Sequence, residues 1–185
     1  PNWSPAALDD FVEHLRDCQL IGLSLMTNNF HRARALTERI RAAHLSVPII
    51  WGGTHPTVAP KECLPIADIV CIGEGEEIFP QMLADAAAGR LQRFYKRKEA
   101  ASLIGLPTPR WDLLNPKHHV FYSPYVIQQS RGCPYTCDFC AERRLNGDYG
   151  WRCRPADEVV EEIKKCGSRH IFFAASQFVG HKAHT

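Results

Sequence analysis

The first ninety residues alternate between short apolar runs and amphipathic ones, and that alternation limits the fold more than any other feature. Leu20–Leu25, Val47–Trp51 and Ile69–Ile72 are apolar runs of strand length; Gly52-Gly53 ends the second and Gly73 the third. Ser4 precedes Pro5, a capping residue followed by a first-position proline. Leu8, Phe11, Val12 and Leu15 then repeat at the spacing of one buried helix face. Asn28 or Asn29 can cap a second helix, with Leu36, Ile40 and Ala43 inward. A short helix is expected around Lys61–Leu64. Another covers Glu77–Ala88, with Ile78, Met82 and Ala86 inward and Gly89 as its stop. Apolar strands alternating with amphipathic helices predict an α/β fold: a parallel sheet with helices on both faces.

Ligands of such sheets bind beyond the carboxyl ends of the strands. Three segments fall there: Met26-Thr27-Asn28-Asn29, Gly52-Gly53-Thr54-His55-Pro56-Thr57 and Gly73-Glu74-Gly75-Glu76-Glu77. Their glycines either make strand-to-helix turns or let the backbone approach a ligand closely.

A second signal lies in Ser130-Arg131-Gly132-Cys133-Pro134-Tyr135-Thr136-Cys137-Asp138-Phe139-Cys140. Cys133, Cys137 and Cys140 stand at Cys-x3-Cys-x2-Cys spacing, with aromatic Phe139 just before the third thiol. Thiolates hold iron–sulfur clusters, and a full set of four is usual for electron carriers. Three on one loop leave one iron of a cubane open to a small molecule. A zinc knuckle, commonly built from paired Cys-x2-Cys units, is the alternative; Cys153 and Cys166 are single and form no second pair.

The cysteine run resembles that of the radical S-adenosylmethionine enzymes. The resemblance implies a [4Fe-4S] cluster on Cys133, Cys137 and Cys140, with S-adenosylmethionine on the open iron and cleaved to a 5′-deoxyadenosyl radical. Phe139 would pack near the adenine. The Gly-Gly-Thr-His-Pro-Thr segment, followed by Ala-Asp-Ile-Val-Cys-Ile-Gly-Glu-Gly-Glu-Glu, resembles the cobalamin-binding domain fused to many such proteins. That resemblance covers roughly residues 5–90 and implies a Rossmann-like domain. In it Met26, Thr27, Gly52, Gly53, Thr54, His55, Gly73, Glu74, Gly75 and Glu76 would cradle the corrin and its nucleotide tail. The Asp-x-His-x-x-Gly motif that ligates cobalt in some cobalamin proteins does not occur, and the first strand of full-length members is missing. The lower axial ligand is therefore open. His31 and His55 are candidates, and both read better as polar loop histidines near the nucleotide tail or solvent.

Residues 91–125 read as a linker. Its basic run Leu91–Lys98 suits a short solvated strand better than a nucleic-acid patch, because the net charge is only +2. His118-His119 reads as exposed. From 126 onward the pattern is strand, cysteine loop, helix and strand: Tyr125–Gln129, Asp157–Cys166 and His170–Phe173. The helix carries acids first and Lys164-Lys165 last, matching its dipole, with Val159, Val160, Ile163 and Cys166 as its apolar face. This is how a radical S-adenosylmethionine (β/α) barrel opens. Such a barrel needs about 200 residues or more, so the chain is expected to be truncated, holding only the first βαβ unit. The resemblance places the S-adenosylmethionine amino group at the loop after the second strand, where Ser176 and Gln177 can hydrogen-bond and Ala174 and Ala175 cannot.

The expected parent activity is a radical methyl transfer, cyclisation or rearrangement at an unactivated carbon of a small-molecule substrate, driven by a reducing electron donor such as flavodoxin or ferredoxin. No catalytic acid or base can be named. The alternatives are a non-catalytic iron–sulfur or metal-binding module, with Cys153 or Cys166 as fourth ligand, and an inactive truncated fragment. Eight cysteines with three at metal spacing suit a reducing cytoplasm; Cys18, Cys63 and Cys71 are expected to be small buried hydrophobes. No apolar run approaches the roughly 18 residues of a transmembrane helix.

Overall fold

Strands β1 (Ile21–Ser24), β2 (Ile49–Gly52), β3 (Ile69–Ile72) and β4 (Phe94–Lys96) form one sheet in chain order, every neighbouring pair parallel. The computed structural model describes residues 4–97, 99–113, 125–146 and 149–179. They fall into two compact units, Pro1–Glu99 and Ala100–Thr185.

In the first unit each strand serves two cores, because successive side chains point to opposite faces. Ile21, Ile49, Trp51 and Val70 face one core, with Val12 from α1 (Pro5–Glu13) and Ile40 from α2 (Phe30–Ala42). Ile50, Ile69 and Cys71 face the other, with Tyr95 of β4 and with Ile78 and Met82 from α5 (Ile78–Ala87). This is the Rossmann-like arrangement the alternation predicts. Ser4 caps α1 as expected, its hydroxyl accepting the Ala7 amide at 3.2 Å. Asn29 occupies the cap position of α2 without a side-chain bond. The last turn is tied down instead by Arg41, which donates to the carbonyls of Leu45 and Val47 and pairs with Asp68.

Several elements depart from expectation. The segment read as a Gly52–Thr57 loop is the end of β2 followed by helix α3 (Thr54–Val58); α4 (Pro60–Cys63) follows. Strand β4 falls within the stretch read as linker. Tyr95 is buried there, its hydroxyl donating to buried Asp85 at 2.9 Å, so the strand is anchored rather than solvated. Arg90 also binds Asp85, and these two bonds hold its carboxyl below the usual carboxylate range. Cys63 and Cys71 are buried as expected, but Cys18 is exposed. His118-His119 lies outside the described residues.

In the second unit β5 (Val126–Ile127) pairs in parallel with β8 (Phe172–Phe173). Between them runs α7 (Ala156–Cys166), ended by Gly167 in the left-handed conformation. Ile127, Val159 and Cys166 are buried, completing a βαβ unit. Val160 is 46% exposed, whereas Glu162 turns inward. Glu162 forms an ion pair with Arg154, both side chains almost fully buried. Arg154 also donates its amide to the Gln129 carbonyl at 2.9 Å, fixing the helix beneath the strand exit. A hairpin not foreseen from sequence, β6 (Ser130–Arg131) with β7 (Arg152–Cys153), flanks the cysteine loop, and α6 (Glu142–Leu145) follows that loop. Among the described residues no helix is long and apolar enough to cross a membrane.

Candidate functional site

A cleft of about 710 Å³ opens on the α5 face of the first sheet. Its floor is Gly22, Ser24, Ile50 and Gly52; Phe79, Met82 and Leu83 of α5 form the wall, and Gly53, Gly73, Gly75 and Glu76 lie at the mouth. Its lining is mostly apolar, as organic-ligand sites usually are. The glycines act in two ways. A Cβ on Gly22 would meet nothing within 4 Å, so its hydrogen leaves the floor open. Gly53, at φ +91°, is different: a Cβ there would sit 2.8 Å from Ser24 Oγ and 2.9 Å from the Leu25 amide. Gly53 is needed for close chain approach, not for space in the cleft.

Of the residues singled out by sequence, Gly52, Gly53, Gly73, Gly75 and Glu76 line this cleft. Met26 is 58% exposed. Thr27 and His55 meet each other, Thr27 Oγ1 lying 3.2 Å from His55 Nδ1. His55, read from sequence as a loop histidine near the nucleotide tail or solvent, is 4% exposed and packs on the Phe30 ring at 4.7 Å. His31 is exposed. Thr54 lies in α3, and Glu74 lies in the loop after β3; neither borders the cleft. Sequence reasoning missed Gly22, Phe79 and Leu83. The signal was present: Phe79 and Leu83 form a second apolar stripe beside Ile78 and Met82, and each remains 47% exposed. Cys71 also borders the cleft, where burial, then the Glu76 charge, pushes its thiol up. A protonated thiol is a poor metal ligand and nucleophile.

The cysteine loop of the second unit begins at Gly132, φ +80°, where a Cβ would collide with the Gly150 carbonyl and the Asn146 side chain. Arg152 steadies the same corner, donating to Asn146 Oδ1 at 2.7 Å and to the Ala101 carbonyl at 2.8 Å. Cys133 is half-buried beside a cleft of about 210 Å³ that also meets Tyr135, Arg143 and Asn146. Cys137 and Cys140 are exposed, and none of the eight cysteines is in a disulfide. The donor set suits a soft metal or cluster. The loop does not gather it: among the described residues no three His, Cys, Asp or Glu side chains are placed to share an ion. Phe139 is 94% exposed. Ser176 and Gln177 are brought close to this loop. The Gln177 carbonyl accepts from buried Ser130 Oγ at 3.1 Å, three residues before Cys133. The Gln177 side chain is used locally, on the Val179 carbonyl at 2.7 Å.

Comparison with known proteins adds four findings. Residues 1–83 match the family model of the B12 binding domain. The chain is 28% identical to the anaerobic magnesium-protoporphyrin IX monomethyl ester cyclase of Cereibacter sphaeroides, over 89% of this chain and 32% of the relative. It is 27% identical to the bacteriochlorophyllide d C-12(1)-methyltransferase of Chlorobaculum tepidum, over 90% of this chain and 37% of the relative. Its fold matches the solved cobalamin-dependent S-adenosylmethionine radical enzyme OxsB with aqua-cobalamin bound, at TM-score 0.73 and 22% identity, covering 94% of this chain and 28% of that one. The chain thus spans about a third of the length of these proteins.

Proposed function

Because this chain carries a B12-binding domain and is a relative of the cobalamin-dependent radical S-adenosylmethionine methyltransferases and cyclases, we propose that it belongs to an enzyme that joins cobalamin and S-adenosylmethionine chemistry at an unactivated carbon of a small-molecule substrate. The observation that carries this reading is the glycine-floored cleft of the B12-binding domain on the same chain as a three-thiol loop.

The first unit, Pro1–Glu99, would serve cobalamin, and the second, Ala100–Thr185, would begin the S-adenosylmethionine region. Gly22 and Gly52 leave room on the sheet for an organic group, and Phe79 and Leu83 offer it an apolar wall. Gly53, Gly73, Gly75 and Glu76 stand at the mouth. Cys133, Cys137 and Cys140 would hold a [4Fe-4S] cluster, whose chemistry is one-electron cleavage of S-adenosylmethionine fed by a donor such as flavodoxin or ferredoxin. Phe139 supplies an exposed ring for the adenine. Ser176 and Gln177 supply polar groups on the neighbouring loop. Protein residues here bind, orient and exclude water, while the cofactors carry the hard chemistry. Such a cluster suits a reducing, cytoplasmic setting.

A second reading has one observation in its favour. Cys153 stands opposite Ser130 in the hairpin, close in sequence pairing to the cysteine loop. Four thiolates would close the cluster and leave an electron-transfer module. Anaerobic reconstitution with iron and sulfide, followed by EPR of the reduced chain, separates the two. A reduced-cluster signal that changes on adding S-adenosylmethionine, and survives Cys153→Ser, supports the open site. A signal indifferent to S-adenosylmethionine and lost in Cys153→Ser refutes it.

A further inference from the structure

We infer that the short helix α3 is a brace that sets the spacing of the two glycine loops at the cleft mouth and ties them to the loop after β1, with Thr57 as its positioning residue. This rests on the cleft being the cobalamin site. Hydrogen bonding between β2 and β3 pairs Ile50 with Ile69 and Trp51 with Val70, and goes no further. Gly53 and Gly73 lie beyond that point, so the ladder does not hold the second and third loops together. Thr57 does. Its hydroxyl donates to the Gly53 carbonyl at 2.7 Å and accepts the Gly73 amide at 3.0 Å. One hydroxyl can serve both because it has one proton to give and lone pairs to spare.

The same helix grips the first loop at its other end. The His55 amide donates to the Leu25 carbonyl at 3.0 Å, and the His55 ring meets Thr27 Oγ1. The ring is buried, and its Nε2 has no hydrogen-bond partner; the Glu62 carboxylate stands 3.7 Å away. His55 is therefore committed to packing and to Thr27. Moving α3 shifts Thr27, Gly53 and Gly73 together, so the hydroxyl of Thr57 governs the shape of a site that it does not line.

The test uses the full chain and hydroxocobalamin. Thr57→Val keeps the shape and removes the hydroxyl; Thr57→Ser restores it. Thr57→Val should weaken binding about tenfold, or about 1.4 kcal/mol, and speed hydrogen exchange across Gly73–Glu77 in the cobalamin-free protein. Thr57→Ser should return both to within about threefold of wild type. Should Thr57→Val fail to fold, Thr57→Ala gives the same readouts without added bulk. Ile40→Val, a change in the core on the sheet face opposite the cleft, should lower Tm without altering affinity. Wild-type binding and exchange in the hydroxyl-free variants would overturn the brace, as would equal loss of affinity in Ile40→Val. If the wild-type chain takes up no cobalamin, the proposed function fails at that point, and the exchange comparison alone still decides the brace.

Discussion

Replacing Gly53 by alanine should unfold the first unit far more readily than replacing Gly22, although both glycines border the same cleft. Gly53 sits at φ +91° and ψ −159°, a region that is essentially glycine-only, and holding another residue there costs about 1–3 kcal/mol. The added methyl would also lie 2.8 Å from Ser24 Oγ, 2.9 Å from the Leu25 amide and 3.1 Å from the Leu25 carbonyl. Two of those neighbours are backbone atoms that also hydrogen-bond, Leu25 N–H to Gly52 and the Leu25 carbonyl to His55, so they cannot simply give way. Overpacking of this kind costs about 1–3 kcal/mol more. The sum is about 2–6 kcal/mol, a large part of the stability of an ordinary domain. Gly22→Ala meets no atom within 4 Å and should stay within about 1 kcal/mol of wild type. Urea unfolding followed by hydrogen exchange at the β1–β3 amides of the first sheet measures both. Equal midpoints for the two variants, at unchanged slope, would refute the steric argument.

Three further outcomes follow from the same physics. Glu162→Gln leaves Arg154 charged and buried without its partner and should destabilise the second unit by about 3–5 kcal/mol in denaturant; a loss under 1 kcal/mol would mean the pair is solvated. The Asp85 carboxyl is held below the usual range by Arg90 and Tyr95, so its stabilisation is complete above the unfolded value of about 3.9 and is lost as pH falls through the folded one. Acid titration of unfolding should therefore be flatter in Asp85→Asn than in wild type, and coincident curves would contradict that bonding. Burial pushes the Cys63 thiol up to about 11, leaving about one thiolate in a thousand at pH 8. Iodoacetamide and peptide mass spectrometry should find Cys137 and Cys140 alkylated while Cys63 stays unmodified in the folded chain; equal labelling would show that the core opens.

What the sequence revealed was whatever depends on near neighbours. The Ser4 cap, the three apolar strands, the stop at Gly89 and the dipole-matched α7 are all decided within a few residues. What it concealed depends on distant partners. Tyr95 is drawn into the sheet because Asp85, ten residues earlier, buries its hydroxyl. Glu162 is drawn inward by Arg154, eight residues earlier. His55 reads as a loop histidine until Thr27 and Phe30 close around it. Gly53 reads as one cradle glycine among several, yet the space of its Cβ is already taken by Ser24 and Leu25, whereas Gly22, which sequence reasoning missed, is open. The cysteine loop was legible as spacing alone. Among the described residues the structure does not place its thiols to share an ion.

The central claim is that cobalamin occupies the cleft between β1, β2 and α5. Anaerobic titration of hydroxocobalamin into the full chain, read by the shift of its absorbance bands, should show saturable binding that Gly22→Trp weakens at least tenfold with little change in Tm. Wild-type affinity in Gly22→Trp would place the cofactor elsewhere and contradict the account.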